Sequence, residues 1–185
     1  MSQAQPAPGR ETAEIRDVVD AHLRDVPDFP KPGILFKDIG PLLAAPGAFA
    51  AVIEHWRAEF AGEVEAVAGI DARGFIFGGA LAHALALGFV PVRKAGKLPG
   101  DTLERTYDLE YGSATLAIQA DALRPGQRVL VLDDVLATGG TARAAAELVE
   151  QAGGVVHAIA VVMELADLGG RTALARWPVR SLTTA

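Results

Sequence analysis

The chain has 185 residues, of which 50% are hydrophobic and 22% charged, and its formal net charge is −6. That size and balance fit one folded domain of ~100–200 residues and exclude disorder of the whole chain. The acidic surplus argues against sequence-independent nucleic-acid binding, and the absence of cysteine excludes disulfides, thiolate metal sites and a cysteine nucleophile.

In chain order, residues 1–12 are polar and rich in Pro, Gly and Gln, and read as a flexible tail. They lack the apolar core of a signal peptide, and no apolar run approaches the ~18 residues of a membrane helix. A cytoplasmic protein with no membrane partner is therefore expected. Residues 13–185 read as a single domain. Ile15, Val18, Val19 and Leu23 share one helical face. Residues 26–40 crowd three prolines around Phe29, Leu35 and Phe36, which predicts an extended segment rather than a helix or a central strand. Residues 47–60 return to helical spacing.

An alternation of strands and helices follows. Strands are predicted at 66–70, 89–93, 114–119, 128–133, 155–163 and 179–182, with a weak one at 105–111. Helices are predicted at 78–87 and 140–151, the second ended by Gly153 and Gly154. Pro91 suggests an edge position for its strand. The pattern predicts an α/β fold, a doubly wound and mostly parallel sheet with helices on both faces. Ligands in such sheets sit beyond the carboxyl ends of the strands. The turns after Ile70 and Leu132 are thus the informative ones.

The second turn lies in Val129-Leu-Val-Leu-Asp-Asp-Val-Leu-Ala-Thr-Gly-Gly-Thr141. An apolar strand ends in two adjacent carboxylates, Asp133 and Asp134. Ala137, Thr138, Gly139, Gly140 and Thr141 then lead into a helix. A glycine-rich turn at a helix N-terminus offers backbone N–H groups and the positive dipole end, which suits one phosphate group. The lysine of a Walker A loop is missing, and so is the G-x-G-x-x-G fingerprint. The acids fit beside a phosphate if they accept hydrogen bonds from sugar hydroxyls or reach Mg2+. The plain alternative is a solvated turn with an Asp helix cap.

The first turn is Gly69-Ile-Asp-Ala-Arg-Gly-Phe75. Arg73 is suited to a second anion and Gly74 to close backbone approach, although a structural Asp71–Arg73 pair would look the same. Arg93-Lys-Ala-Gly-Lys-Leu-Pro-Gly100, followed by Tyr107 and Glu110-Tyr-Gly112, is either a lid over an anionic substrate or an ordinary surface hairpin. The four histidines, His22, His55, His83 and His157, form no metal-binding pair. His83, on an Ala-rich helix, reads as packed.

Taken together, these segments resemble the type I phosphoribosyltransferases, whose phosphoribosyl diphosphate (PRPP) motif looks like residues 129–141. More closely, the chain resembles the adenine phosphoribosyltransferases. The matching stretches are Phe29-Pro-Lys-Pro-Gly-Ile-Leu-Phe-Lys-Asp-Ile39, Asp71-Ala-Arg-Gly-Phe75, Arg93-Lys-Ala-Gly-Lys-Leu-Pro-Gly100, Leu109-Glu-Tyr-Gly112, the PRPP motif and Met163-Glu-Leu165. The PRPP motif specifies the superfamily, and the Pro-rich segment with Leu-Glu-Tyr-Gly narrows it to the adenine enzymes.

The resemblance implies purine salvage: adenine and PRPP give AMP and pyrophosphate, with Mg2+. It implies that Asp133 and Asp134 hold the ribose hydroxyls and that residues 137–141 cradle the 5-phosphate. Ala72 and Arg73, with Lys94 and Lys97, would bind pyrophosphate, and a cis peptide is implied between Asp71 and Ala72. Leu35, Phe36, Lys37 and Leu165 would enclose adenine. Glu110 would be the acid/base, with Arg73 the second catalytic group. Mg2+ would be held mainly by PRPP and water, with Asp133 the nearest carboxylate. A hood over residues 26–40, a lid over residues 94–112 and a homodimer are also implied, with the lysines contributed in one version by the neighbouring subunit. Lys37 and Ala72 depart from the Arg and Ser common at their places. The alternatives are a transferase for a 6-oxopurine and a non-catalytic regulator on the PRPP fold.

Overall fold

The computed structural model describes residues 8–108 and 112–185. The chain divides into two compact units, Met1–Trp56 and Arg57–Ala185, and each is described by itself.

In the first unit, helix α1 spans Pro8–Asp20. It begins inside the stretch read as a tail, with proline at the first helical position, where its missing N–H costs nothing. Strands β1 (Arg24–Pro27) and β2 (Leu35–Asp38) form a two-stranded antiparallel ribbon. The prolines fall mainly between the strands, where no ladder bond is needed. Phe29-Pro30 is a cis peptide. Salt bridges Arg24–Asp38 at 2.5 Å and Lys37–Asp25 at 2.7 Å fasten the ribbon across its strands. A short helix α2 (Gly40–Ala44) precedes α3 (Pro46–Phe60), which runs across the boundary between the units.

The second unit is built on a seven-stranded sheet. Its strands are β3 (Ala66–Ile70), β4 (Gly88–Lys94), β5 (Thr102–Asp108), β6 (Ser113–Gln119), β7 (Arg128–Leu136), β8 (Val155–Glu164) and β9 (Val179–Thr184). The order is β5-β6-β4-β3-β7-β8-β9. Strands β4, β3, β7, β8 and β9 run parallel, while the β5–β6 hairpin is antiparallel. Helices α4 (Gly74–Leu85), α5 (Gly140–Gln151) and α6 (Gly170–Ala173) complete the unit. Every residue of β3 is buried, as expected of a parallel strand covered on both faces.

Several predicted bounds move. Helix α4 starts at Gly74, four residues ahead of the expected 78. The early start needs glycine there: a Cβ would lie 2.6 Å from the Leu132 carbonyl oxygen. Strand β4 is interior in the sheet order, not an edge. Its pairing with β6 begins only at Arg93, so Pro91 has a strand neighbour on the β3 side alone, facing Gly69. The proline therefore removes no ladder bond. The weak strand expected at 105–111 is β5, shifted toward the N-terminus, and it takes up much of the 94–112 segment read as a lid. Among the described residues no helix is long and apolar enough to cross a membrane.

The core packs Ile70, Val92, Ile118, Val131 and Ile159 of the sheet with Leu148, Val149 and the buried alanines of α5. These alanines let the helix lie close to the strands, so α5 enters the sheet at a fixed height. That height places its N-terminus beside the end of β7.

Candidate active site

The two turns singled out by the strand pattern meet. Asp71, Ala72 and Arg73, after β3, and residues 133–142, from the end of β7 into α5, line one cleft of about 340 Å³. Adjacent parallel strands β3 and β7 bring them there. Asp133, Asp134, Ala137, Thr138, Gly139, Gly140, Thr141, Ala72 and Arg73 thus come together.

The local geometry follows from the residue types. Gly139 caps α5 with φ of 85°, a left-handed conformation in which a side chain is strained. A Cβ there would also lie 2.8 Å from the Gly170 carbonyl oxygen. The turn therefore carries no side chain over the helix N-terminus, where the first N–H groups have no partner within the helix. Thr138 is exposed and Thr141 half-buried at the same rim. The Asp71–Ala72 peptide is cis.

Asp134 is 4% exposed and paired with Arg73, Nε to Oδ2 at 2.7 Å. The Asp134 backbone N–H donates to Asp133 Oδ1 at 2.9 Å. Burial and then the neighbouring charge of Asp134 hold the Asp133 carboxyl well above its ordinary pKa. An arginine and two acids of unequal character therefore share the floor of the cleft.

Two residues at this site, both within the segment read as a lid or hairpin, were given no role of their own by sequence reasoning. Arg93 Nε donates to Asp71 Oδ2 at 3.0 Å and Arg93 NH1 donates to the Lys97 carbonyl at 3.1 Å, so Arg93 holds the first turn. It stood in plain view at the head of the basic cluster, but its target lies 22 residues away. Tyr107, on β5, accepts a hydrogen bond from Thr141 Oγ at 3.1 Å. No motif marks it.

Other candidates lie elsewhere. Lys94 and Lys97 are exposed and do not line the cleft. Leu165 follows β8, half-buried, with its N–H on the Leu136 carbonyl at 2.8 Å. Leu35, Phe36 and Lys37 are on β2 of the first unit, where Phe36 meets Phe29 edge-on at 5.1 Å. Glu110 falls outside the described residues.

A family model for the phosphoribosyl transferase domain matches residues 42–181. The adenine phosphoribosyltransferase of Acidothermus cellulolyticus is 55% identical over 92% of this chain and 97% of its own length. The crystal structure of adenine phosphoribosyltransferase from Rhodothermus marinus superposes with a TM-score of 0.87 at 50% identity, over 94% of this chain and 99% of that one. The Saccharomyces cerevisiae enzyme, solved with an imino-altritol bisphosphate and adenine, gives 0.88 at 42% identity, over 92% and 99%. Matched by these relatives over nearly its full length and by the family model over residues 42–181, the chain that carries this cleft belongs to the adenine phosphoribosyltransferases of the phosphoribosyl transferase domain family.

Proposed function

We propose that this chain transfers the 5-phosphoribosyl group of PRPP to adenine, releasing pyrophosphate and forming AMP. The observation that carries the reading is the single cleft joining the Asp71–Arg73 turn to the acids and glycine-threonine turn of residues 133–141. The cleft offers carboxylates for hydroxyls, a turn of amides for a monoester and, beside Asp134, an arginine for the leaving group.

In this reading residues 137–141 hold the 5-phosphate through backbone N–H groups and the Thr138 and Thr141 hydroxyls. Asp133 and Asp134 accept from the ribose hydroxyls. Arg73, which balances Asp134 at 2.7 Å in the absence of ligand, turns to the pyrophosphate with Ala72. As the C1–O bond lengthens, negative charge builds on pyrophosphate and positive charge on the sugar. An arginine brought against the leaving group stabilises that separation more than it stabilises the ground state. Lys94 and Lys97 add charge, from this chain or from the partner of a homodimer. By the family resemblance, Leu35, Phe36 and Lys37 within the hood segment 26–40, and Leu165, are the residues given to adenine. Glu110, in the lid segment 94–112, exchanges the purine proton.

Mg2+ fits the site as an ion carried by the substrate. Among the described residues no three His, Cys, Asp or Glu side chains converge as a metal cage. Magnesium commonly uses one or two carboxylates with water and phosphate oxygens, and Asp133 with Asp134 is such a pair. When bound, the ion would neutralise charge on the leaving diphosphate.

Steady-state assay with PRPP and a panel of bases tests the proposal. Turnover with adenine and none with hypoxanthine is expected; the reverse would assign a 6-oxopurine. No pyrophosphate release with any base would leave only the fold and favour the non-catalytic regulator. Glu110→Gln should lower kcat more than it raises the adenine KM; unchanged kinetics would remove Glu110 from the chemistry.

A further inference from the structure

We infer that Tyr107 belongs to the phosphate-monoester subsite, where its hydroxyl sets the direction of the Thr141 hydroxyl. The inference rests on reading residues 137–141 as the cradle for that monoester. Tyr107 comes from β5, outside the β7–α5 turn that supplies every other group of the cradle.

Its ring is partly buried against the core cluster, so the position of the hydroxyl is set by packing. Two residues earlier on the same face of β5, Arg105 pairs with Glu147 of α5 at 2.6 Å. A second tie therefore fastens the strand to the helix on one side of the contact. Into this fixed geometry Thr141 Oγ donates to Tyr107 Oη at 3.1 Å. A phenylalanine would fill the same apolar space. The hydroxyl is explained by its partner, and that partner lines the cleft.

A hydroxyl has one proton and two lone pairs. In the structure the Thr141 proton is directed at Tyr107. An anionic phosphate oxygen is a stronger acceptor than a phenol, because hydrogen bonds to charged groups are roughly twice as strong. On binding, the Thr141 proton turns to the phosphate, and Tyr107 rotates its own proton onto Thr141 Oγ. The result is a chain from Tyr107 through Thr141 to the ligand, in which no polar group loses its partner and each bond polarises the next. Tyr107 is thus a positioning residue that acts through Thr141.

Titration of ribose 5-phosphate and of pyrophosphate into the whole protein separates the possibilities. Tyr107→Phe should weaken ribose 5-phosphate by about three- to tenfold, the range of one uncharged hydrogen bond. Pyrophosphate affinity should not change. In a Thr141→Val background, Tyr107→Phe should add nothing. Unchanged ribose 5-phosphate affinity in Tyr107→Phe would overturn the inference. So would equal weakening of both ligands, or full additivity with Thr141→Val. Wild-type protein that binds pyrophosphate but no ribose 5-phosphate would overturn the cradle itself, and the inference with it. Adenine turnover plays no part in these readouts, so an error in the assigned base leaves them intact.

Discussion

Two neighbouring carboxylates at the end of β7 do different work because their surroundings differ. Asp134 is countered by Arg73, whereas burial and the charge next door raise the pKa of Asp133. A folded-state pKa above the unfolded value means that the native protein binds the proton more tightly. Stability then falls as pH rises, from about pH 4, where an unfolded Asp titrates, through the raised value. Asp133→Asn keeps an oxygen for the Asp134 N–H and removes the charge. The ligand-free variant should melt above wild type at pH 7, and the gap should close below about pH 4. A variant that melts lower at pH 7 would show an ionised Asp133 to be stabilising. Asp134→Asn differs, since it strips Arg73 of its counter-charge and the ribose of an anionic acceptor. A loss of about 1.5–3 kcal/mol, some ten- to hundredfold in kcat/KM for PRPP, is expected. Asp133 and Asp134 were legible in the sequence because their run is contiguous. The Arg73–Asp134 and Arg93–Asp71 pairs were not, since each joins two strand ends that only the sheet order makes neighbours.

At the scale of elements, β7 and α5 were readable, and α5 has the bounds its alanine-rich spacing predicts. What escaped is the support behind the phosphate turn. After β8 the chain makes a short 3-10 turn, Ala166–Leu168, and then α6. Segments this short have no periodicity to detect. Yet a Cβ at Gly170 would strike the Ala137 carbonyl oxygen and Leu136, so α6 is the backstop of the cradle. Arg171 ties that backstop to the sheet, with Nε donating to Glu164 Oε1 at 3.0 Å and NH1 to the Val179 carbonyl at 3.1 Å. Gly170→Ala should displace the turn, raise the PRPP KM and cost about 1–3 kcal/mol of stability. Kinetics unchanged in a folded variant would show the turn to be supported from elsewhere. The Arg171 hydrogen bonds hold the Glu164 carboxyl below its usual pKa. That stabilisation is present above the unfolded value near pH 4.3 and is lost as pH falls through the depressed one. Glu164→Gln should therefore lower the melting temperature at pH 7 and matter progressively less in acid. A deficit that persists at low pH would assign the effect to packing.

For the whole molecule, the acidic balance opposes a substrate that carries several negative charges. A net charge of −6 is compatible with it because the positive groups are local. Arg73, the α5 N-terminus and the amides of residues 137–141 face one cleft, and interactions within a Debye length of ~8–10 Å outweigh the screened remainder. Binding there should appear in global stability. A ligand at a hundred times its dissociation constant adds ~2.7 kcal/mol to the native state. For a chain of this length, each kcal/mol shifts the melting temperature by roughly 2–4 °C. PRPP with Mg2+ should thus raise it by about 5–11 °C. A chelator should shrink the shift, because the diphosphate then enters with its charge unbalanced. Asp134→Asn should shrink it as well, through the ribose. With the chain in two compact units, the shape of the transition is informative too: stabilisation confined to Arg57–Ala185 would split one melting step into two. A wild-type melting curve indifferent to PRPP and Mg2+ would remove the cleft from consideration as the substrate site, whatever the assay with bases returns.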